Sequence, residues 1–207
     1  MVKTTKIESY ENLAQTTVLL VCAVIAAYQA CRQKSREWTL LAFFYGSWIS
    51  GNCYWLFCLI FYGRPEVSAV SDLSWCASYL FLYLLLRQVL PEGRGTRKIL
   101  PWLGPAFTVA MAIYFMQWGK WISNLAYAAL MGVLLYTAIA RLMDRENNGT
   151  RSLCIIILVF CLVEYALWLS SCLWEADTLE NPYYWCDIML TVLFIFFLPA
   201  TKKAVKA

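Results

Sequence analysis

The chain has 207 residues, 61% of them hydrophobic and only 14% charged, with a mean hydropathy of +0.58 and a net charge of +4. Soluble domains run at about 45–50% apolar and about 25% charged, so this balance excludes an ordinary soluble domain and points to an all-α membrane protein. Histidine is absent, which removes His-ligated metals, a Ser-His-Asp triad and a histidine general base. No metal or other cofactor and no nucleic-acid partner is expected.

A bilayer core of about 30 Å takes about 20 apolar residues in a helix. Seven stretches approach that length, at residues 13–30, 38–62, 67–90, 99–116, 121–142, 152–174 and 183–200. The expected fold is a single domain, 1–207, built as a seven-transmembrane helical bundle. The first stretch is led by Glu8 and Glu11. The fourth carries Pro101 and Pro105 in its first turns, where proline is tolerated. Asn148-Gly149-Thr150 reads as a turn before the sixth. Nine cysteines are scattered without a CxxC pair and read as small fillers of helix interfaces.

Charge sets the expected orientation. Arg32, Lys34 and Arg36, then Arg87, Arg94, Arg97 and Lys98, fall on one side of a seven-span chain. Arg141, Arg145 and Arg151, then Lys202, Lys203 and Lys206, fall on the same side. Only Lys3, Lys6, Arg64 and Lys120 fall on the other. Basic loops stay in the cytoplasm, so the N-terminus is expected outside and the C-terminus inside. No cleavable signal peptide is expected, and the expected location is a bacterial inner membrane.

An internal repeat is suggested by aligning Gly51-Asn52-Cys53-Tyr54-Trp55-Leu56 with Glu164-Tyr165-Ala166-Leu167-Trp168-Leu169, and Trp75-Cys76 with Trp185-Cys186. Spans one to three and five to seven would be parallel units joined by span four. Such a 3+1+3 plan is similar to that of SWEET-type sugar transporters. A second likeness covers residues 48–90. Gly51-Asn52-x-x-Trp55, Gly63-Arg64-Pro65, Asp72-Leu73-x-Trp75 and Tyr79-Leu80 resemble the hydrophobic sensor modules that begin some bacterial diguanylate cyclases and histidine kinases. Those modules carry Asp where Asn52 stands. The resemblance implies a bacterial seven-span sensor; with no output domain after Ala207, signalling would pass through a separate partner. A retinal protein is excluded, because the Schiff base needs a lysine within the last span and 183–200 has none.

The chemistry concentrates at residues 164–187. An ionised group in hydrocarbon costs several kcal/mol, so an intramembrane acid marks a functional site by default. Glu164 lies ten residues before Trp174, about 15 Å along a helix, and Asp187 lies a little way into the last span. The expected ligand-binding set is Glu164, Asp187, Asn52, Tyr54, Trp75, Tyr165, Trp168 and Trp185. The acids supply polarity, Asn52 and the tyrosines hydrogen bonds, and the indoles the apolar wall that small-molecule sites require. Asp72, Glu175, Asp177 and Glu180 are expected to form an acidic outer mouth, although Asp72 also suits a helix start. Beyond lipid, the expected partners are a small-molecule ligand and a separate signalling protein or a second copy of the chain. The function expected is a binding or sensor module. The alternatives are a small-solute or proton-coupled transporter and an intramembrane enzyme using the acid pair.

Overall fold

The computed structural model describes residues 6–62, 69–89, 99–118, 120–143, 148–174 and 178–206. Within them the chain is helical throughout, with no strand. In order come α1 (Lys6–Gln33), α2 (Arg36–Tyr62) and α3 (Ala69–Val89), a 3-10 turn (Leu100–Trp102), then α4 (Leu103–Phe115), α5 (Trp121–Leu142), α6 (Asn148–Leu173) and α7 (Pro182–Val205). Five of these, α1, α3, α5, α6 and α7, are long and apolar enough to cross a membrane. Length does not exclude α2, which has 27 residues; its Trp, Tyr, Ser, Gly and Asn dilute its hydropathy. The fourth apolar stretch gives the shorter run Leu100–Phe115, which Pro101 opens with a 3-10 turn. The Gly63-Arg64-Pro65 motif, and the basic residues Arg94, Arg97, Lys98 and Arg145, lie outside the described residues.

Helix limits follow local chemistry. α1 starts before the apolar stretch, because the polar turns with Glu8, Glu11 and Asn12 remain helical. A connection of two residues joins α1 to α2. Lys34 turns the chain with a positive φ of 51°, and the Ser35 Oγ accepts from the Trp38 amide at 3.3 Å, satisfying an amide that helix geometry leaves open. α7 is started by Asn181, whose side chain accepts from the Tyr183 amide at 3.0 Å, with Pro182 in its first turn. Asn148-Gly149-Thr150 is not a separate turn but the first turn of α6. The first amides of a helix have no intrahelical partner in any case, so Asn and Gly cost little there. All nine cysteines are free thiols.

The helices pack as a ring, α1-α2-α3-α5-α6-α7, closed by α1 on α7. Two further pairings, α2 with α7 and α3 with α6, draw the ring inward. α4 packs on the outside of α5. A Cβ on Gly104 would stand 2.7 Å from the Leu135 Cβ, and one on Gly132 would stand 2.8 Å from the Thr108 Oγ1. Glycine therefore sets the α4–α5 approach, the usual role of small residues between membrane helices. Leaving α4 aside, exchanging α1 with α5, α2 with α6 and α3 with α7 maps the set of packed pairs onto itself.

One half of the bundle centre is solid aromatic packing. Phe44, Phe160, Phe194 and Phe197 have no exposed surface, and Trp48 packs edge-on to Phe194 at 5.0 Å and to Phe160 at 5.5 Å. Phe44 meets Phe197 at 5.2 Å. These separations suit the edge-to-face contacts that aromatic quadrupoles favour. The Tyr45 hydroxyl, buried beside them, donates to the Phe194 carbonyl at 2.7 Å.

Candidate functional site, a two-acid aromatic cavity

Beyond the plug, in the half where α1, α3 and α7 begin and α2 and α6 end, the bundle encloses a cavity of about 200 Å³. Asn12 and Gln15 of α1 line it, with Trp48, Asn52 and Trp55 of α2 and Trp75 and Tyr79 of α3. The far wall is Glu164, Leu167, Trp168 and Ser171 of α6 and Tyr183, Asp187 and Leu190 of α7. Five helices thus contribute, each through residues three or four apart, which lie on one helix face.

A chain of hydrogen bonds runs across one wall. The Trp75 indole donates to Asn52 Oδ1 at 3.3 Å, and Asn52 Nδ2 donates to Gln15 Oε1 at 2.6 Å. Gln15 Nε2 then donates to Asp187 Oδ1 at 2.7 Å and reaches Thr191 Oγ1 at 3.3 Å. Gln15 is therefore the hub that ties α1 to α2 and α7. On the opposite side the Tyr79 hydroxyl donates to Glu164 Oε2 at 3.0 Å, linking α3 to α6. At the α1 end of the cavity the Trp55 indole donates to Glu8 Oε1 at 3.1 Å.

The two acids differ in how completely they are held. Asp187 is 6% exposed and anchored by Gln15. Glu164 is 2% exposed, and its Oε1 is buried without a hydrogen-bond partner among the described residues. Buried polar atoms are nearly always paired, so an unpaired carboxyl oxygen beside a cavity calls for an explanation. Among the described residues no Lys or Arg lines the cavity. The described walls therefore carry carboxyls and ring faces with no positive group beside them.

Comparison with family models, curated proteins and solved structures gives no match.

Of the residues expected from sequence, Glu164, Asp187, Asn52, Trp75 and Trp168 meet at the cavity. Tyr165 does not line it. Its ring packs toward α4, at 5.1 Å from Phe107, and its hydroxyl is buried without a partner. Trp185 is 58% exposed, on the outer surface of α7, with its indole donating to the Leu179 carbonyl at 2.9 Å. Tyr54 lies beside Cys58 and Tyr62, off the cavity-lining face of α2. Asp72 also stands apart from the cavity. The Ser123 hydroxyl donates to Asp72 Oδ2 at 2.8 Å and the Tyr127 hydroxyl to its carbonyl at 3.3 Å, so Asp72 stitches α3 to α5. Glu180 is exposed, and Glu175 and Asp177 lie outside the described residues.

Sequence reasoning passed over Gln15, Asn12, Trp48, Trp55, Tyr79 and Tyr183. A signal was present for the first two. Glu8, Asn12 and Gln15 recur at helical spacing in α1, and an amide inside an apolar span needs a partner.

Proposed function

We propose that this chain is a seven-span membrane binding module, N-terminus outside, holding a small ligand in the cavity and signalling through a separate partner in a bacterial inner membrane. The observation that carries the reading is the pairing of an acid-bearing, largely apolar cavity in one half of the bundle with an aromatic plug in the other. A site that is concave, largely apolar, and furnished with a few converging polar groups is what small-ligand binding requires. The partition of Lys and Arg supports the orientation, which puts the cavity toward the outside.

The packing pattern favours a second reading, a small-solute or proton-coupled transporter. Its exchange symmetry supports a 3+1+3 parallel repeat, and such repeats carry substrate sites near the midplane between their halves. The two readings differ in whether the plug opens.

Cysteine labelling with an impermeant thiol reagent, in a background cleared of native cysteines, tests both points. For orientation, Thr178→Cys is expected to react from outside in intact cells, and Thr96→Cys and Asn147→Cys only after the membrane is opened. External reaction at position 147 would reverse the topology. For function, Ser171→Cys at the cavity is expected to react from outside. Ala200→Cys, only 4% exposed and one helical turn beyond Phe197, is expected to react from neither side. Labelling of Ala200→Cys from the outside would mean that the plug opens, and would decide for the transporter.

A further inference from the structure

We infer that the occupant of the cavity is a small organic ammonium ion, seated against indole and phenol faces with Glu164 and Asp187 as its counter-charges. The inference rests on the binding reading above and narrows it to a ligand class. Four features converge on it.

The first is charge. Two carboxyls line a largely apolar cavity that, among the described residues, no Lys or Arg lines. A buried charge is stable only when paired, and a bound cation supplies the missing partner. The second is Glu164. Its Oε2 is engaged by Tyr79, while its buried Oε1 has no hydrogen-bond partner among the described residues, which leaves one carboxyl oxygen for an N–H donor or a close positive charge. The third is the wall. Trp55 and Trp75, with ring centroids 6.1 Å apart and planes inclined by 45°, form a corner, and Trp48, Trp168, Tyr79 and Tyr183 add further rings. Aromatic faces attract cations through their quadrupole, Trp most strongly. The fourth is size. About 200 Å³ corresponds to the liquid volume of about seven waters and falls below the roughly 300–1,000 Å³ of drug-sized sites. That suits a compact ammonium group.

Other classes fit less well. An anion would face two carboxyls and, among the described residues, no basic partner. A hard metal ion wants six or more oxygens, whereas most of this wall is rings, and no cluster of three or more metal-binding side chains occurs among the described residues. A neutral ligand could use the hydrogen-bonding groups but would gain nothing from the charge of the acids.

The full chain in lipid nanodiscs is titrated with three probes of nearly equal shape: choline, its neutral isostere 3,3-dimethyl-1-butanol, and the anion 3,3-dimethylbutyrate. Calorimetry and the fluorescence of the lining tryptophans report binding. Choline is expected to bind saturably, the alcohol roughly tenfold more weakly, and the anion not at all. Glu164→Gln and, separately, Asp187→Asn are each expected to weaken choline roughly tenfold while leaving the alcohol unchanged. Two variants are used so that a folding failure in one leaves the other to decide. Trp168→Leu should weaken choline more than Trp168→Phe does. Alcohol binding as tight as choline, or choline binding unchanged in both acid variants, would overturn the ammonium inference and leave the binding reading standing. Saturable binding by none of the three would overturn both.

Discussion

Gln15→Leu is expected to lower the stability of the bundle by about 2–4 kcal/mol. The substitution removes the acceptor of Asn52 Nδ2 and the donor of Asp187 Oδ1 together. Side-chain hydrogen bonds between membrane helices average about 0.6 kcal/mol and reach about 1.7. The larger share comes from the groups left behind, since a buried polar atom without a partner costs about 1–3 kcal/mol. Asn52 is 2% exposed and Asp187 6%, so only water in the cavity could replace Gln15. Reversible unfolding in mixed micelles measures the loss. The triple change Gln15→Leu, Asn52→Leu and Asp187→Leu should recover part of it, because replacing all partners by apolar groups can be nearly neutral. A Gln15→Leu variant as stable as the parent would show that the network does not hold α1 in the ring.

Gly51→Ala is the second large effect. The added Cβ would stand 2.6 Å from the Trp75 Nε1 and 2.9 Å from its Cδ1. The indole must move, and moving it breaks the 3.3 Å bond to Asn52 Oδ1. Overpacking of this kind costs about 1–3 kcal/mol, and here it also displaces part of the cavity wall. A shift in tryptophan emission should accompany the loss of stability. In a double-mutant cycle with Trp75→Ala the two changes should couple favourably, because the smaller side chain vacates the space that the new methyl needs. An additive cycle would place the strain elsewhere.

The helices were legible because apolar runs of membrane length have few alternatives. The fourth helix is the exception. Its prolines mark a start without saying how short the helix will be, and its place outside the ring follows from packing on α5 through Gly104 and Gly132 and on α6 through Phe107 and Phe115. Glu164 and Asp187 were legible because acids are costly in apolar spans. The residues around them were misread where composition was used in place of angle. Successive helical residues turn by about 100°. Trp185, two before Asp187, therefore points away from it, while Tyr183 and Leu190, four before and three after, share its face. Asn52 likewise selects Trp48 and Trp55 rather than Tyr54, and Glu164 selects Trp168 and Ser171 rather than Tyr165. Gln15 escaped notice because its partners are 37 and 172 positions away in sequence, a separation that no local pattern encodes.

The aromatic plug also has an electrical consequence. A membrane potential does about 2.3 kcal/mol of work per elementary charge per 100 mV, but only across the part of the path that is dry and poorly polarisable. In the proposed orientation, rings with no exposed surface occupy the inner half of the bundle centre, while acids, amides and a cavity occupy the outer half. Most of the voltage therefore falls across Phe44, Trp48, Phe160, Phe194 and Phe197. A cation entering from outside as far as Glu164 crosses little of that drop, so its affinity should hardly change between a polarised and a depolarised membrane. A cation that passed the rings would traverse nearly the whole potential.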